Sequence, residues 1–237
     1  MPTLLALDTS TEACSVALLR DGAISERYIE APREHMLRLL PMVDELLSGE
    51  QLELRDLDGI VFTRGPGSFT GLRITLGVVQ GLAFGANLPV LPVSTLAVLA
   101  QSVATVQLAG RFILSAIDAR MDEVYCAWFE VGGDGLVRAC GEERVCPPEA
   151  VTPMATNEPW LGVGSGWNYA ARLPATGRGD IVATALPRAA AALQLALPRW
   201  QAGERHAIEQ VAPVYLRDDV AWPKGGTQKN DTRKSDQ

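Results

Sequence analysis

Three stretches of this sequence hold residues whose types and spacing suit chemistry. The first is Gly65-Pro66-Gly67-Ser68-Phe69-Thr70-Gly71, a loop between the apolar run Gly59 to Phe62 and a long uncharged run of helical character. A strand, a glycine-rich turn and a helix start in that order present unpaired first-turn N–H groups to an anion. The second is Asp8, which ends the apolar run LLALD and is followed by Thr9, Ser10 and Thr11. A carboxylate at a strand end with hydroxyls beside it suits a metal-bound phosphate. The third is Asp118, which ends FILSAID, with Arg120 two residues further on. The candidate nucleotide- or anion-binding residues are therefore Asp8, Thr9, Ser10, Gly65, Gly67 and Ser68.

Each stretch also lacks a part that the chemistry needs. No Gly-Lys-Ser/Thr closes the loop, so it is not a phosphate loop of the Walker type. Its third glycine comes one residue late for a dinucleotide fingerprint, and the next strand ends without the ribose-binding acid. The turn after Asp8 has no glycine, although backbone N–H groups must approach a phosphate closely. A tight turn that sets a helix against a sheet is the stronger reading of the loop. An internal ion pair is the commoner role for Asp118 and Arg120. Ser68 and Ser165 lack the Gly-x-Ser-x-Gly elbow of a nucleophile. Four cysteines without a CxxC spacing and two widely separated histidines predict no metal site, and His35 reads as a capping or surface residue.

Composition narrows the class. With 237 residues the chain can bury a real core in one large or two small domains. A net charge of −7 argues against a protein that binds nucleic acid by itself. Met1 leads straight into TLLALD without a secretory pattern. The uncharged segment Ile74 to Val93 is interrupted by Gln80, Asn87, Pro89 and Pro92, and reads as a buried helix followed by a strand. The expectation is a cytoplasmic protein with reduced thiols and no membrane contact.

The elements that must position these residues follow from periodicity. Strands are expected at Thr3 to Asp8, Cys14 to Arg20 and Ala23 to Ile29, with Pro32 opening a helix over Arg33 to Leu47. In that helix Met36, Leu39, Leu40, Val43, Leu46 and Leu47 span roughly a third of the circumference, Met42 widens the arc and Leu37 lies on another side. That excess fits either a second apolar surface for another helix or chain, or a helix sandwiched within its own domain. Pro41 predicts a kink or break. A strand at Gly59 to Thr63 leads through the loop to a helix over Phe69 to Ala86, capped by Ser68 or Thr70. Gly77, Gly81 and Gly85 recur every four residues along it. Each costs about 1 kcal/mol relative to alanine, so a smooth face for close helix approach is the physical reason for three. A strand at Leu88 to Val93 follows, and Ser94 caps a helix to Val103.

The second half repeats the plan of the first: a strand ending in an acid, a polar turn, a strand at Val124 to Val131, a glycine turn, and a third strand near Val137 to Val145. A strand at Trp160 to Val163, a helical stretch over Ala183 to Trp200 interrupted by Pro187 and Pro198, and a final strand at Val211 to Leu216 complete the chain. The expected organisation is a first lobe at 1–106, a second at 107–222 and a disordered tail at 223–237.

Several segments in order resemble the TsaB (YeaZ) family: LLALDTSTEACSVAL, LLPMVDELL, GPGSFTGLRITLGVVQGLAFG, PVSTLAVLA, DARMDEVYCAWF and PVYLRDDVAW. The resemblance covers Leu4 to about Trp222, and its glycine-loop helix and DARMDEVY are the most specific parts. It implies an α/β, actin-like ATPase fold of two ribonuclease-H-like lobes with mixed sheets flanked by helices. It also implies a non-catalytic scaffold and activator for making N6-threonylcarbamoyladenosine at position 37 of tRNAs that read ANN codons. The partners implied are the paralogous transferase TsaD, as a heterodimer, and the ATPase TsaE, with tRNA reached only through the complex and a homodimer formed when TsaD is absent. No cofactor is expected to bind tightly, with ATP or ADP held at the complex interface. TsaD holds its metal with a His-x-x-x-His motif; here Leu39 stands four residues after His35, which favours the TsaB side of the pair. The implied partner interface is Met36, Leu39, Leu40, Val43, Leu46, Leu47, Arg73, Gly77, Gly81 and Gly85, so Leu39→Glu is expected to block association without unfolding the chain. The competing reading is a stand-alone enzyme, either an actin-like nucleotide hydrolase or a peptidase.

Overall fold

The apolar run LLALD becomes β1 (Leu4–Asp8), with all five residues buried. Both of its faces are covered, which is why it reads as a continuous hydrophobic run rather than an alternating one. It sits at the centre of a five-stranded sheet, antiparallel to β2 (Ala13–Arg20) and parallel to β4 (Gly59–Thr63). β3 (Ala23–Glu30) and β5 (Val90–Val93) flank these, giving the order β3-β2-β1-β4-β5. This computed structural model describes residues 1–156, 159–174 and 178–217. The tail expected at 223–237 lies outside the described residues.

Alternation along β1 distributes its side chains to two cores. Leu5 and Leu7 join Val16, Leu18, Ile60 and Phe62 under α1 (His35–Gly49) and α2 (Phe69–Ala86). Leu4 and Ala6 face the opposite layer with Val61, Leu91 and Val93, against α4 (Ala189–Gln201). Ala189, Ala192, Leu193, Ala196 and Trp200 form the sheet-facing stripe of α4, at helical spacing. The Trp200 ring lies where a Cβ on Gly59 would stand, so the glycine is what lets helix and sheet close.

The second sheet has the same plan. β6 (Phe112–Arg120) and β7 (Glu123–Val131) pair antiparallel, and β10 (Trp160–Val163) and β11 (Arg178–Val182) add in parallel. With β8 at Val137–Ala139, the order β11-β10-β6-β7-β8 mirrors β5-β4-β1-β2-β3, which is the repetition anticipated from the sequence. Its third strand is split into β8 (Val137–Ala139) and β9 (Arg144–Cys146), which occupy different stretches of β7. The helices do not follow the chain order of the sheets. α3 (Thr95–Gln101) buries Leu96, Leu99 and Ala100 against the second sheet, while α4 from the second half covers the first.

Four local expectations change. α1 runs through Pro41 without a break, because Pro41 is on the exposed side, where the carbonyl it leaves unpaired meets water. α1 also starts at His35, so Pro32 precedes the helix rather than opening it. Val211 to Leu216 is an extended segment outside both sheets, held by Val214 N donating to Arg64 O at 2.7 Å. β11 was not anticipated, since RGDIV carries too few apolar residues to read as a strand.

Candidate functional site

Asp8, Thr9 and Ser10 leave β1 directly beneath the N-terminus of α2, and the loop 65–71 closes over them. Asp8 is fully buried, and its Oδ1 accepts hydrogen bonds from Ser10 N at 3.1 Å, Ser10 Oγ at 2.6 Å and Thr63 Oγ1. Its Oδ2 has no partner among the described residues. Burial pushes this carboxyl above the ordinary carboxylate range, against the opposing pull of those hydrogen bonds. Thr9 Oγ1 lies 2.8 Å from Gly71 O and 2.6 Å from Thr75 Oγ1. Ser68 N donates to Ser10 O at 2.8 Å, and the Ser68 side chain caps α2 by accepting from Gly71 N at 3.2 Å.

These contacts use the groups that a phosphate would need. A Cβ on Gly67 would overlap the Ser10 carbonyl, and one on Gly71 would overlap that of Thr9. The glycines therefore admit the chain's own backbone, and the space they create is filled by it. Asp8, Thr9, Ser10, Gly65, Gly67 and Ser68 are brought together as predicted, but as a packed junction: Asp8 and Thr9 do not line the neighbouring cleft, and the residues do not fit a nucleotide phosphate at Asp8. Gly65 serves the turn itself, with φ at +105° and its carbonyl accepting from Thr95 N at 3.0 Å.

The raised carboxyl of Asp8 has a consequence for stability. A folded-state pKa above the unfolded value means that the native state holds its proton more tightly. Stability from this residue is then fully present below the unfolded value of 3.8 and is lost as pH rises through the folded one. Urea melts of the wild type and Asp8→Asn are expected to separate with pH: the variant gains on the wild type from pH 4 upward. A constant difference between pH 4 and 8 would contradict the assignment.

A cleft of about 670 Å³ opens beside the junction, between the C-terminal ends of the two sheets' central strands. Ser10, Gly67 and Ser68 line one side, and Asp118, Ser165 and Asn168 the other. Asp118 is occupied locally: its Oδ1 accepts from Arg120 N at 2.8 Å and its Oδ2 lies 3.4 Å from the Arg120 guanidinium, as the ion-pair reading expected. Ser165 Oγ accepts from Asp118 N at 3.1 Å. His35 is corrected from a surface or capping role: it is buried, with Nε2 3.1 Å from Ala13 O, tying the start of α1 to β2.

The outer faces of α1 and α2 form the other candidate. Of the predicted interface, Leu39, Val43, Leu46 and Leu47 are buried in the chain's own core against β2 and α2, and this corrects their assignment. A charge at Leu39, which is 0% exposed, would enter that core, so Leu39→Glu is expected to unfold the protein rather than block association. Met36 at 73% and Leu40 at 49% remain open to solvent, joined by Leu37. On α2, Gly77, Gly81 and Gly85 are exposed, and among the described residues nothing outside the helix's own backbone lies within 4 Å of a Cβ built on any of them. Arg73 is exposed and lies 3.7 Å over the Phe69 ring, which is 5.4 Å from Tyr215. Phe69 and Phe84, the latter 79% exposed, were missed as members of this face. Phe84 follows Gly77 by seven residues, two turns of helix, which was the signal that placed it there. An apolar groove of about 460 Å³ between the helices is lined by Met36, Phe69, Arg73, Ile74 and Gly77.

α2 was expected to be a buried helix, and only its sheet-facing side is. Its 18 residues are long and apolar enough to cross a membrane by length and composition, yet Leu72, Thr75, Val79 and Ala83 are committed to the sheet and its core. The exposed apolar side is what the periodicity left unpaired.

Comparison with known proteins gives these surfaces their context. The family model for "TsaD: tRNA N6-adenosine threonylcarbamoyltransferase" matches residues 29–224. The chain is 41% identical over 231 residues to the tRNA threonylcarbamoyladenosine biosynthesis protein TsaB of Escherichia coli K12, covering 93% of this chain and 97% of the relative. The TsaB of Haemophilus influenzae is 42% identical over 234 residues, covering 94% and 96%. The solved structure of YeaZ from Pseudomonas aeruginosa superposes with a TM-score of 0.86 at 50% identity, covering 91% of this chain and all of that one. The fold is therefore the YeaZ-like fold of the actin type, with mixed sheets flanked by helices. The broad TsaD-described match and the TsaB-named relatives agree with the paralogy of the two, and the chain belongs to the TsaB (YeaZ) family.

Proposed function

We propose that this chain is a non-catalytic scaffold and activator for the cytoplasmic transfer of a threonylcarbamoyl group to N6 of adenosine 37 in tRNAs reading ANN codons. It works as a heterodimer with TsaD, joined by TsaE, and meets tRNA only through that complex. The observation that carries the proposal is the solvent-open face of α1 and α2, where Met36, Leu37, Leu40, Phe69 and Phe84 surround an exposed glycine ridge. Large apolar side chains around a smooth backbone ridge suit a helix of another protein packed close against them. With TsaD absent, the same face brings two copies together. The two sheets are read as two ribonuclease-H-like lobes divided near residue 106, with α3 and α4 exchanged between them.

The packed junction at Asp8 supports the non-catalytic assignment. A hydrolase would need Asp8 and the backbone N–H groups directed at a phosphate, whereas here they are turned onto Ser10, Thr63 and Ser68. ATP or ADP, which the chain by itself does not hold tightly, is assigned to the interface of the complex.

The test is co-expression with TsaD followed by a tRNA modification assay. The chain is expected to co-purify with TsaD and TsaE, and threonylcarbamoyl transfer by TsaD is expected to require it. Hydrolysis of ATP or peptides by the chain alone, abolished by Asp8→Ala, would replace this reading with the stand-alone enzyme.

A further inference from the structure

The second sheet holds a pair of thiols that the scaffold role does not use. Cys126 on β7 and Cys146 on β9 stand with their sulfurs 4.0 Å apart. β9 pairs antiparallel with β7, Cys126 opposite Arg144 and Cys146 opposite Val124, so the two cysteines are diagonal neighbours. Both belong to one apolar cluster with Leu114, Val124 and Trp160, so their side chains share one face of the sheet. Cys126 is buried, whereas Cys146 is only partly buried and open to a small reagent.

We propose that Cys126 and Cys146 are a peroxide-oxidisable dithiol, which closes to a disulfide and locks β9 onto β7. Burial and the neighbouring Cys146 sulfur push the Cys126 thiol up to about 12, so Cys126 is the resting, protonated partner. Cys146, the sulfur open to the reagent, attacks hydrogen peroxide: its thiol proton is lost, its sulfur gains one oxygen, the O–O bond breaks, and the departing hydroxide leaves as water with that proton. Cys126 then attacks the Cys146 sulfenic sulfur. The S–S bond forms, the S–O bond breaks, and the hydroxyl leaves as a second water with the Cys126 proton. Closure from 4.0 Å to an S–S length of about 2.05 Å needs roughly 2 Å of movement. That movement falls on β9, which has only three residues, rather than on the nine-residue β7.

The lock would be felt beyond the second sheet. Glu143 immediately precedes β9 and accepts from Ser94 Oγ at the N-cap of α3, and it lies 3.4 Å from Arg64 at the end of β4. Fixing β9 fixes the strand that carries this link to the first sheet.

The test uses the full chain in a Cys140→Ser background, which removes the exposed thiol and leaves three of the four cysteines. After hydrogen peroxide and denaturation the free-thiol count is expected to fall from three to one, the survivor being Cys14. Mass should fall by about 2 Da, as two hydrogens are lost. Non-reducing tryptic digestion should join residues 121–138 to residues 145–172, and dithiothreitol should separate them. Adding Cys146→Ser, at a partly buried site, should leave two thiols and no mass loss. Recovery of Cys146 as a sulfinate with Cys126 intact, or as a bridge between two chains, overturns the proposal.

Discussion

Leu40→Glu is expected to weaken capture of TsaD, the proposed partner, by roughly a hundredfold while leaving the folding of this chain unchanged. Leu40 is 49% exposed and adjoins Met36 and Leu37 on the open side of α1, so a carboxylate there meets water in the free protein. A surface substitution of this kind shifts stability by about 0.5 kcal/mol or less. In the complex the carboxylate would be enclosed among apolar groups without a partner. That costs about 3 kcal/mol or more, or roughly a hundredfold in Kd. Gly81→Leu should act likewise, because the space beyond that glycine is empty in the free chain and would be occupied by the partner helix. Titration calorimetry against TsaD, with thermal melts of each variant alone, reads both quantities. Unchanged Kd for both variants removes the α1–α2 face as the docking surface. Leu39→Glu serves as the contrast: one residue away in sequence but wholly buried, it should unfold the chain and thereby separate core from surface on the same helix.

Gly71→Ala and Gly77→Ala, six residues apart on α2, have opposite signs. A methyl group at Gly71 overlaps the Thr9 carbonyl oxygen, and backbone must move, since no flexible side chain end is there to yield. Overpacking against a fixed backbone costs about 3 kcal/mol. For a chain of this size that lowers Tm by roughly 6 to 12 °C. At Gly77 the methyl meets nothing within 4 Å, and the helix gains the propensity that glycine lacks, about 1 kcal/mol. Tm should therefore rise by roughly 2 to 4 °C. The same Gly77→Ala is expected to weaken binding of TsaD on the proposed face. A Tm for Gly71→Ala equal to that of the wild type would contradict the packed junction at Thr9. A Tm for Gly77→Ala below that of the wild type would contradict the open ridge.

The pattern of elements was legible because it is written locally. LLALD, GIVFT and the Ser68-capped run to Ala86 carry their strand and helix signals within a few residues, and α2 has the expected bounds. The doubled order of strand, acid, turn and strand also foretold two sheets of matching topology. What failed to show was long-range. Val211 to Leu216 has the apolar content of a strand, but it extends none of the edge strands β3, β5, β8 and β11; its Val214 N donates to Arg64 O, at the end of β4. RGDIV has weak strand character and becomes β11 because β10 offers it an open edge.

Helical periodicity alone established that α1 carries more apolar surface than one layer can absorb, and that glycine recurs on one side of α2. Only the packing decided which half of that surface the chain keeps. Packing of α1 against β2 and α2 places Leu39, Val43, Leu46 and Leu47 inside, and leaves Met36 and Leu40 exposed. At the glycine loop, residue types were compatible with an anion site and with a tight turn. Tertiary contact chose the turn, since the Thr9 and Ser10 carbonyls occupy the volume that Gly71 and Gly67 leave free. A one-dimensional pattern records which residues are small, and which are apolar. It does not record what stands opposite them, and that is what separates a buried leucine from a docking leucine and a filled turn from an empty cradle.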